Sequence, residues 1–350
     1  RVKIFCVRNN SDVRIGVMRR YFLTFCFIAT VCGACTGESA DKSVSLEESR
    51  LRIAVVPKGT THDFWKAIHA GALKAEEELG NITVIYRGPE REDDRDQQVS
   101  LVQNLLTGSA DAIVLAPLDE NALLPAVRLA TQSGIPVIII DSGLAGEVGQ
   151  DYISYVATDN HEGGRLAGRH MGELLDGEGQ VLLLRHAEGS ESTMRREEGF
   201  VEALGEFPNV ELIDPKRYSG VTTATAQIAA ENLLTTYDKV DGIFCANESC
   251  TFGLLLALRS RGLAGKIRFV GFDTNAELVN ALGEGELDGL VVQDPMAMGY
   301  LGVKTAVAHL ASEFVELRQD TGVRLATREN MHDPDIAQLL APDLSRYLEQ

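Results

Sequence analysis

Polar and aromatic side chains follow the apolar runs of this sequence, at the points where strands would end. After the first run, Leu51–Val56, the chain continues with Lys58, His62, Phe64 and Trp65. Later runs are followed by further hydrogen-bonding side chains, namely Asp141, Ser142, Arg196, Tyr218, Asn247, Asp273 and Gln293. Ligands of parallel α/β sheets bind beyond the carboxyl ends of the strands, so these side chains are candidates for one shared site.

This combination of side chains suits a ligand with many hydroxyl groups, such as a sugar. Carboxylates can accept hydrogen bonds from two hydroxyls, whereas Arg, Asn and Gln supply paired donors. Phe64 and Trp65 offer an apolar surface for the C–H face of a sugar ring. We therefore predict a carbohydrate site, with Lys58 and Ser142 as additional contacts.

The same residues also have structural interpretations. Phe64 and Trp65 could belong to the core at the start of a helix, and Asp141 and Asp273 could cap helices or form turns. Gln293 precedes Asp-Pro and could simply end a strand. The two aspartates, however, end two similar segments, and this symmetric placement favours a functional role.

The similar segments are Ala110–Asp141 and Val240–Asp273. Each contains an apolar run, a polar turn, an amphipathic helix, a Gly, a second apolar run and a terminal Asp. Similar alternation of strand-like and helix-like patterns extends from Leu51 to a last long helix predicted at Gly299–Leu317. The pattern predicts an α/β protein with parallel sheets in two similar lobes that face each other across a cleft.

Composition excludes several function classes. The formal net charge of −18 disfavours binding to nucleic acid or to anionic lipid. The sequence contains no P-loop, no Gly-x-Ser-x-Gly elbow and no His/Cys/Asp/Glu cluster with metal-ligand spacing. We predict no cofactor and no metal, and we expect a binding protein. A carbohydrate-active enzyme that uses Asp141 and Asp273 is the less favoured alternative, because no activated nucleophile accompanies them.

The N-terminal segment has the pattern of an export signal. Residues 18–35 contain a basic start, a short apolar run and small residues before Cys35, whereas residues 1–17 precede a good start at Met18. We interpret 1–17 as a mis-start, 18–35 as a lipoprotein signal peptide with Cys35 as the lipidated residue, and 36–50 as a flexible tether. Secretory cleavage without a lipid remains the alternative. The remaining cysteines, Cys245 and Cys250, could be paired or could be separate buried thiols.

The chain resembles the type I periplasmic sugar-binding family, the ribose-binding-protein group. The resemblance covers about residues 51–323 and is carried by HDFWKAIHAGA (62–72), ATDNHEGGRLAG (157–168), RREEGF (195–200), FCANESCTFGLLLAL (244–258), FVGFD (269–273) and VVQDPMAMG (291–299). It implies two Rossmann-like lobes joined by a three-stranded hinge. The implied first lobe is 51–156 plus 294–321, and the implied second lobe is 157–293 plus 322–350.

The resemblance also implies roles for the candidate residues. Phe64 and Trp65 would stack on the sugar ring, and His62 stands where the family often has Asn. Hydroxyl contacts would come from Asp141, Arg196, Asn247, Asp273 and Gln293, and Tyr218 stands near the aromatic residue of the second lobe. Ribose binders carry Asp-Arg after the fourth strand, whereas this chain has Asp141-Ser142. A pentose other than ribopyranose, a hexose, a furanose or a polyol is therefore the expected ligand.

The implied function is that of a monomeric, lipid-anchored periplasmic protein that delivers a sugar to an ABC permease. A sensor that presents the sugar to a chemoreceptor or a histidine kinase is the alternative within the same fold. Related cytosolic repressors carry a helix-turn-helix, and none precedes Leu51 in this sequence.

Overall fold

The structure is a computed structural model that describes residues 50–214 and 216–348. The predicted mis-start, the signal peptide with Cys35 and nearly all of the predicted tether lie outside the described residues. Within the described residues, no helix is long and apolar enough to span a membrane.

Strands and helices alternate along the chain. The first part contains β1 (Leu51–Val56), α1 (Asp63–Leu79), β2 (Ile82–Tyr86), α2 (Arg95–Leu105), β3 (Ala112–Leu115), α3 (Leu124–Gln132), β4 (Val137–Ile140) and β5 (Ser154–Ala157). The second part contains α4 (Asn160–Leu174), β6 (Glu178–Leu184), α5 (Glu191–Leu204), β7 (Asn209–Ile213), α6 (Thr223–Thr236), β8 (Gly242–Cys245), α7 (Glu248–Ser260), β9 (Arg268–Phe272), α8 (Ala276–Glu284) and β10 (Gly289–Gln293). The last part contains α9 (Pro295–Leu310), β11 (Arg318–Asp320), β12 (Val323–Ala326), α10 (Pro334–Leu340) and α11 (Ser345–Leu348).

In the described part of the chain, the strands form two six-stranded sheets with the same internal order. The first sheet runs β2-β1-β3-β4-β5-β11 and is parallel throughout. The second runs β7-β6-β8-β9-β10-β12 and is parallel except for β12, which pairs antiparallel with β10. Central strands such as β3 and β8 are buried along their whole length, as expected for strands covered by helices on both faces. The predicted α/β fold with two mostly parallel sheets is confirmed.

The chain passes between the two sheets three times, at 157–160, 293–295 and 320–323. The first and third crossings touch each other. Thr158 Oγ1 donates to the carbonyl of Gly322 at 3.0 Å, and the amide of Thr321 donates to the carbonyl of Ala157 at 3.3 Å. These bonds tie the crossing segments together at one side of the cleft.

Glycines allow two helices of the second sheet to pack closely. A Cβ atom on Gly164 of α4 would collide with the backbone carbonyl of Arg196 on α5. A Cβ atom on Gly199 of α5 would likewise collide with the carbonyl of His161 on α4. Each helix therefore lies directly on the backbone of the other, and this contact fixes the position of Arg196 relative to the sheet.

Several element boundaries differ from the sequence prediction. The helix predicted at Gly299–Leu317 is α9, which begins at Pro295 because Asp294 accepts a hydrogen bond from the amide of Ala297. It ends at Leu310, and Ser312 follows in a left-handed conformation. The C-terminal helix α11 packs against α1. There Arg346 Nη2 lies 2.6 Å from Glu77 Oε1.

Candidate ligand-binding site

A small cavity lies where the carboxyl ends of the two sheets face each other. Its wall on the side of the first sheet consists of Lys58, His62, Phe64, Trp65, Glu92 and Asp141. Its wall on the side of the second sheet consists of His186, Ser190, Ser192, Thr193, Arg196, Asn247, Glu248 and Asp273. These residues lie in loops after strands or in the first two turns of helices, as the parallel topology requires.

The two sides of the cleft are in direct contact. Lys58 Nζ of the first side donates to Ser192 Oγ of the second side at 2.8 Å. The amide of Gly143 donates to Glu191 Oε2 at 2.8 Å, and Arg95 Nη2 donates to the carbonyl of Glu188 at 2.7 Å. The structure therefore describes the closed arrangement of the two lobes.

Asp141 follows β4 and forms a buried ion pair with Lys58. The two residues are 3% and 4% exposed, and Lys58 Nζ lies 2.9 Å from Asp141 Oδ2. The backbone of Asp141 is left-handed, with φ of 63°, and its carbonyl accepts from Asn160 Nδ2 at 3.1 Å. Asp adopts the left-handed conformation more readily than most residues do. The turn at Asp141 can therefore carry an aspartate whose side chain lines the cavity.

Asp273 occupies the equivalent position after β9 and has the same left-handed conformation, with φ of 66°. Its carboxylate accepts from Gln293 Nε2 at 2.6 Å and from the amide of Glu248 at 3.2 Å. Burial raises the pKa of Asp273, whereas the nearby Arg196 guanidinium and the Gln293 hydrogen bond act in the opposite direction. Each of the two predicted aspartates thus has a cation beside it.

Arg196 is held rigidly from three directions. Its Nε donates to Asn160 Oδ1 at 2.8 Å, and its Nη1 donates to the carbonyl of Ala246 at 2.9 Å. Its guanidinium lies over the ring of Phe272, 3.9 Å from the centroid, and Nη1 is 3.5 Å from Asp273 Oδ2. The neighbouring Arg195 is half exposed and pairs with Glu198 on the surface of α5. Of the two arginines, Arg196 is therefore the one that lines the cavity.

Glu92, which the sequence analysis did not single out, lies at the centre of a hydrogen-bond cluster. Its Oε1 accepts from Trp65 Nε1 at 2.6 Å and lies 2.8 Å from His62 Nδ1, while its Oε2 lies 3.7 Å from His186 Nε2. Burial would raise the pKa of Glu92, but the hydrogen bonds and charges of His186 and His62 hold it well below its usual range. Burial alone would lower the pKa of His62; Glu92, with Glu248 and Asp273, raises it to about 9.

Asn247 and Glu248 begin α7. Asn247 Oδ1 accepts from the amide of Cys250, so Asn247 is the N-cap of this helix. The Glu248 carboxylate crosses the cleft and accepts from the amide of Phe64 at 3.2 Å, at the N-terminus of α1. Burial raises the pKa of Glu248 to about 7, against the opposing charge of His62.

The structure brings most of the predicted residues together and places three of them differently. Gln293 and Ser142 are buried behind the cavity wall. Gln293 orients Asp273, and Ser142 Oγ accepts from the amide of Ser192 at 3.0 Å. Tyr218 does not line the cavity and is 47% exposed. Successive side chains of an extended segment point to opposite sides, so the buried neighbour Ser219 faces inward and Tyr218 faces outward.

Glu92 and His186 carry little signal in the sequence. Both lie in loops after strands, β2 and β6 respectively, and this position was the one available signal. His186 is 2% exposed, and within the described residues its Nδ1 has no hydrogen-bond partner. Among the described residues, no group of three or more His, Cys, Asp or Glu side chains is arranged to hold a metal ion.

Comparison with known proteins gives a consistent result. The ribose import binding protein of Escherichia coli is 28% identical over 279 residues, which cover 79% of this chain and 90% of that protein. A solved ABC transporter solute-binding protein from Agrobacterium vitis with bound D-fucose is 34% identical and has a TM-score of 0.79. The alignment covers 83% of this chain and all of that one.

A carbohydrate transporter solute-binding protein from Agrobacterium radiobacter, solved with D-arabinose, is similarly close. It is 33% identical with a TM-score of 0.79, over 84% of this chain and all of that one. Residues 53–313 match the family described as periplasmic binding protein domain. The resemblance noted in the sequence is thus confirmed: the chain belongs to the periplasmic binding proteins, in the type I sugar-binding group.

Proposed function

We propose that this protein binds one monosaccharide or polyol in the cavity between its lobes and delivers it to an ABC permease, without chemical conversion of the ligand. The observation that carries the proposal is the matched arrangement of Asp141 with Lys58 and of Asp273 with Arg196, one pair on each side of the cleft. Each pair presents a charged acceptor and a charged donor to the same small space. Paired donors and acceptors of this kind suit vicinal hydroxyl groups.

The cavity also offers the apolar surface that a sugar ring requires. Phe64 and Trp65 both line it, with their rings in an edge-to-face arrangement and their centroids 4.9 Å apart. The indole N–H of Trp65 is occupied by Glu92. The ring faces are therefore the part of these side chains that would contact a ligand.

Lys58 distinguishes this site from the ribose pattern. The residue after Asp141 is Ser142, which is directed toward Ser192, so no arginine donor stands there. The positive charge beside Asp141 comes instead from Lys58, in the loop after β1. An ammonium is a compact donor and lacks the planar fork of a guanidinium. We propose a ligand other than ribopyranose, and the ligands of the solved relatives, D-fucose and D-arabinose, are the first to test.

Tryptophan fluorescence tests the proposal directly, because Trp65 is the single tryptophan of the chain. The full chain is titrated with pentoses, hexoses, deoxyhexoses, polyols and nucleosides. We expect a saturable change with one compound class, together with a rise in Tm. Absence of both responses across the panel would refute the sugar assignment. Turnover of any bound sugar would instead show an enzyme.

We further propose that Cys35 carries the lipid that anchors the protein at the membrane, and that the folded part acts as a monomer. Support for the anchor comes from the sequence around Cys35, since the family membership implies only a periplasmic location. Fractionation of cells that express the full chain tests it. The Cys35→Ala variant should lose incorporation of labelled fatty acid, and incorporation that persists in this variant would refute the assignment.

A further inference from the structure

Two cysteines lie side by side next to the ligand-binding cavity. Cys245 is the last residue of β8, and Cys250 lies in the first turn of α7. Both are fully buried in the same core, and their Sγ atoms are 2.6 Å apart. The optimal separation of nonbonded carbon atoms is about 3.5–4.0 Å, and sulfur is the larger atom, so the chain geometry holds the two thiols closer together than an ordinary packing contact.

We propose that Cys245 and Cys250 form a disulfide bond in the exported protein. The family membership implies a periplasmic location, where thiols are exposed to oxidising conditions. The bond would close a ring around residues 246–249. This proposal concerns a covalent modification and does not depend on the identity of the ligand.

The ring would brace a loop that organises the second side of the cavity. The carbonyl of Ala246 accepts from Arg196, and the amide of Glu248 donates to Asp273. The side chain of Asn247 caps α7 inside the same ring, by accepting from the amide of Cys250. A cross-link at this position would therefore fix the backbone groups that form hydrogen bonds with Arg196 and Asp273.

The bond must form before the core is packed. In the folded protein, burial and the adjacent Cys250 raise the pKa of the Cys245 thiol well above its usual range, so the reactive thiolate is suppressed. Disulfide exchange requires a thiolate and access to the oxidant. The oxidant we infer is a protein or small-molecule disulfide that meets the chain during folding.

The exchange balances without any other reactant. One thiolate attacks the donor disulfide, which breaks and releases its first thiol, and a mixed disulfide forms. The second cysteine thiolate then displaces the donor from this mixed disulfide. One S–S bond forms in the protein, one S–S bond is lost from the donor, and two electrons and two protons end on the two donor thiols. Once buried, the product is inaccessible to reductants.

Peptide mapping of the full chain tests the proposal. Reduced chain is unfolded and then refolded with oxidised glutathione as the donor. It is next unfolded in the presence of an alkylating reagent and cleaved with trypsin. Both cysteines lie in the peptide Val240–Arg259, which contains no internal Lys or Arg. We expect this peptide to be unalkylated and two hydrogen masses lighter than its dithiol form, and to gain two alkyl groups only after reduction.

Three results would overturn the proposal: alkylation of both cysteines without reduction, a glutathione adduct on either one, or a cross-link to any other cysteine of the chain. The Cys250→Ala variant is the matched control. Its Cys245 should carry glutathione or be alkylated, and it should show no internal loss of two hydrogen masses. Tm provides a second readout that needs no variant. The oxidised wild-type chain should melt about 2–5 °C above the same chain refolded without donor, because the ring restricts the unfolded state. Equal Tm values would also count against the cross-link.

Discussion

Asp141 and Asp273 are equivalent residues that share one unusual backbone conformation. Both follow a buried strand, both have positive φ, and both are nearly inaccessible to solvent. A carboxylate buried in this way requires a compensating cation or hydrogen bonds. Lys58 and Arg196 supply the cations, and each of the two ion pairs lies in the wall of the cavity.

The first prediction concerns Asp141→Asn, which removes the charge and keeps the shape of the side chain. The ammonium of Lys58 is then left buried and uncompensated, so we expect the Kd of the identified sugar to rise at least about tenfold, with a loss of about 3 kcal/mol in the free energy of unfolding. Calorimetric titration and urea unfolding measure the two effects. The control is Asp151→Asn, because Asp151 is also ion-paired, with Arg128, but lies outside the cavity.

The double variant Asp141→Asn with Lys58→Met separates the two effects. Removal of the lysine charge should restore much of the stability. Sugar binding should stay weak, because the amide oxygen of Asn is a weaker acceptor than the carboxylate and the Lys58 donor is lost. Recovery of full affinity in the double variant would show that Asp141 acts only as the partner of Lys58.

The second prediction concerns the pH dependence of stability. In the folded protein the pKa of Glu248 is raised from the ordinary 4.5 to about 7, chiefly by burial. Between these values the folded state holds a proton that the unfolded state has released. The contribution of Glu248 to the free energy of unfolding is therefore fully present below about pH 4.5 and is lost as pH rises to about 7 and beyond.

Comparison of the wild type with Glu248→Gln in urea unfolding, from pH 4.5 to 7.5, measures this contribution. As pH rises over this range, the free energy of unfolding should fall in both proteins. We expect the fall to be smaller in Glu248→Gln, by up to about 3 kcal/mol. Glu277→Gln is the control, because Glu277 is exposed on α8 and pairs with Arg259. Parallel pH curves for wild type and Glu248→Gln would contradict the assignment.

At the residue scale, the sequence predicts those cavity-lining residues that occupy equivalent positions after strands. Asp141 and Asp273 could be predicted because each ends one copy of a repeated segment. Glu92 and His186 belong to loops without such a pattern, and what brings them together is the closure of one lobe on the other. Tyr218 was misplaced because a shift of one residue in an extended segment reverses the direction of the side chain.

At the scale of elements, the contact between α4 and α5 determines where Arg196 lies. Gly164 on α4 faces the carbonyl of Arg196 itself, so this helix rests on the backbone that carries the guanidinium. The contact leaves no space for a side chain on Gly164. Helix packing and the position of a cavity-lining side chain are therefore linked here.

The third prediction is that Gly164→Ala destabilises the protein by about 1–3 kcal/mol and weakens sugar binding, because the helices must separate and displace Arg196. Thermal unfolding and fluorescence titration measure the two effects. Gly283→Ala is the control, since Gly283 lies in α8 and a Cβ atom added there would meet Met331 Cε at 3.7 Å, an ordinary packing distance. This substitution should be neutral or slightly stabilising. An unchanged Tm in Gly164→Ala would contradict the close packing.

Most elements could be predicted from hydrophobic periodicity, whereas their ends depended on local capping. Asn247 and Asp294 each accept a hydrogen bond from an amide in the first turn, and Asp294 starts α9 about one turn earlier than predicted. The helix α11 was not predicted because its four residues are too few to show a period. Its position against α1 is a tertiary contact between residues that are far apart in sequence.

At the scale of the whole molecule, the contacts across the cleft describe a closed state that the ligand would favour. Lys58 contacts both Asp141 on its own side and Ser192 on the opposite side. A sugar that bridges the two sides adds interactions which only the closed arrangement can make. The open arrangement should consequently be populated when the sugar is absent.

The fourth prediction is that saturating sugar reduces the radius of gyration of the protein, measured by small-angle X-ray scattering. The Asp141→Asn variant, at sugar concentrations too low to saturate it, should keep the value of the ligand-free protein. An identical radius with and without sugar in the wild type would mean that ligand binding does not change the relation of the two lobes.

The last crossing, at 320–323, has a consequence for how the chain acquires its structure. The strands on either side of it, β11 and β12, complete the edges beside β5 and β10. Until residues 318–326 have been synthesised, both sheets present an unpaired strand edge, and β5 must wait for a partner more than 160 residues away. Such late, distant pairing slows folding. A growing chain would then remain incompletely folded until nearly all of it is made. An incompletely folded chain can still pass through a translocation channel.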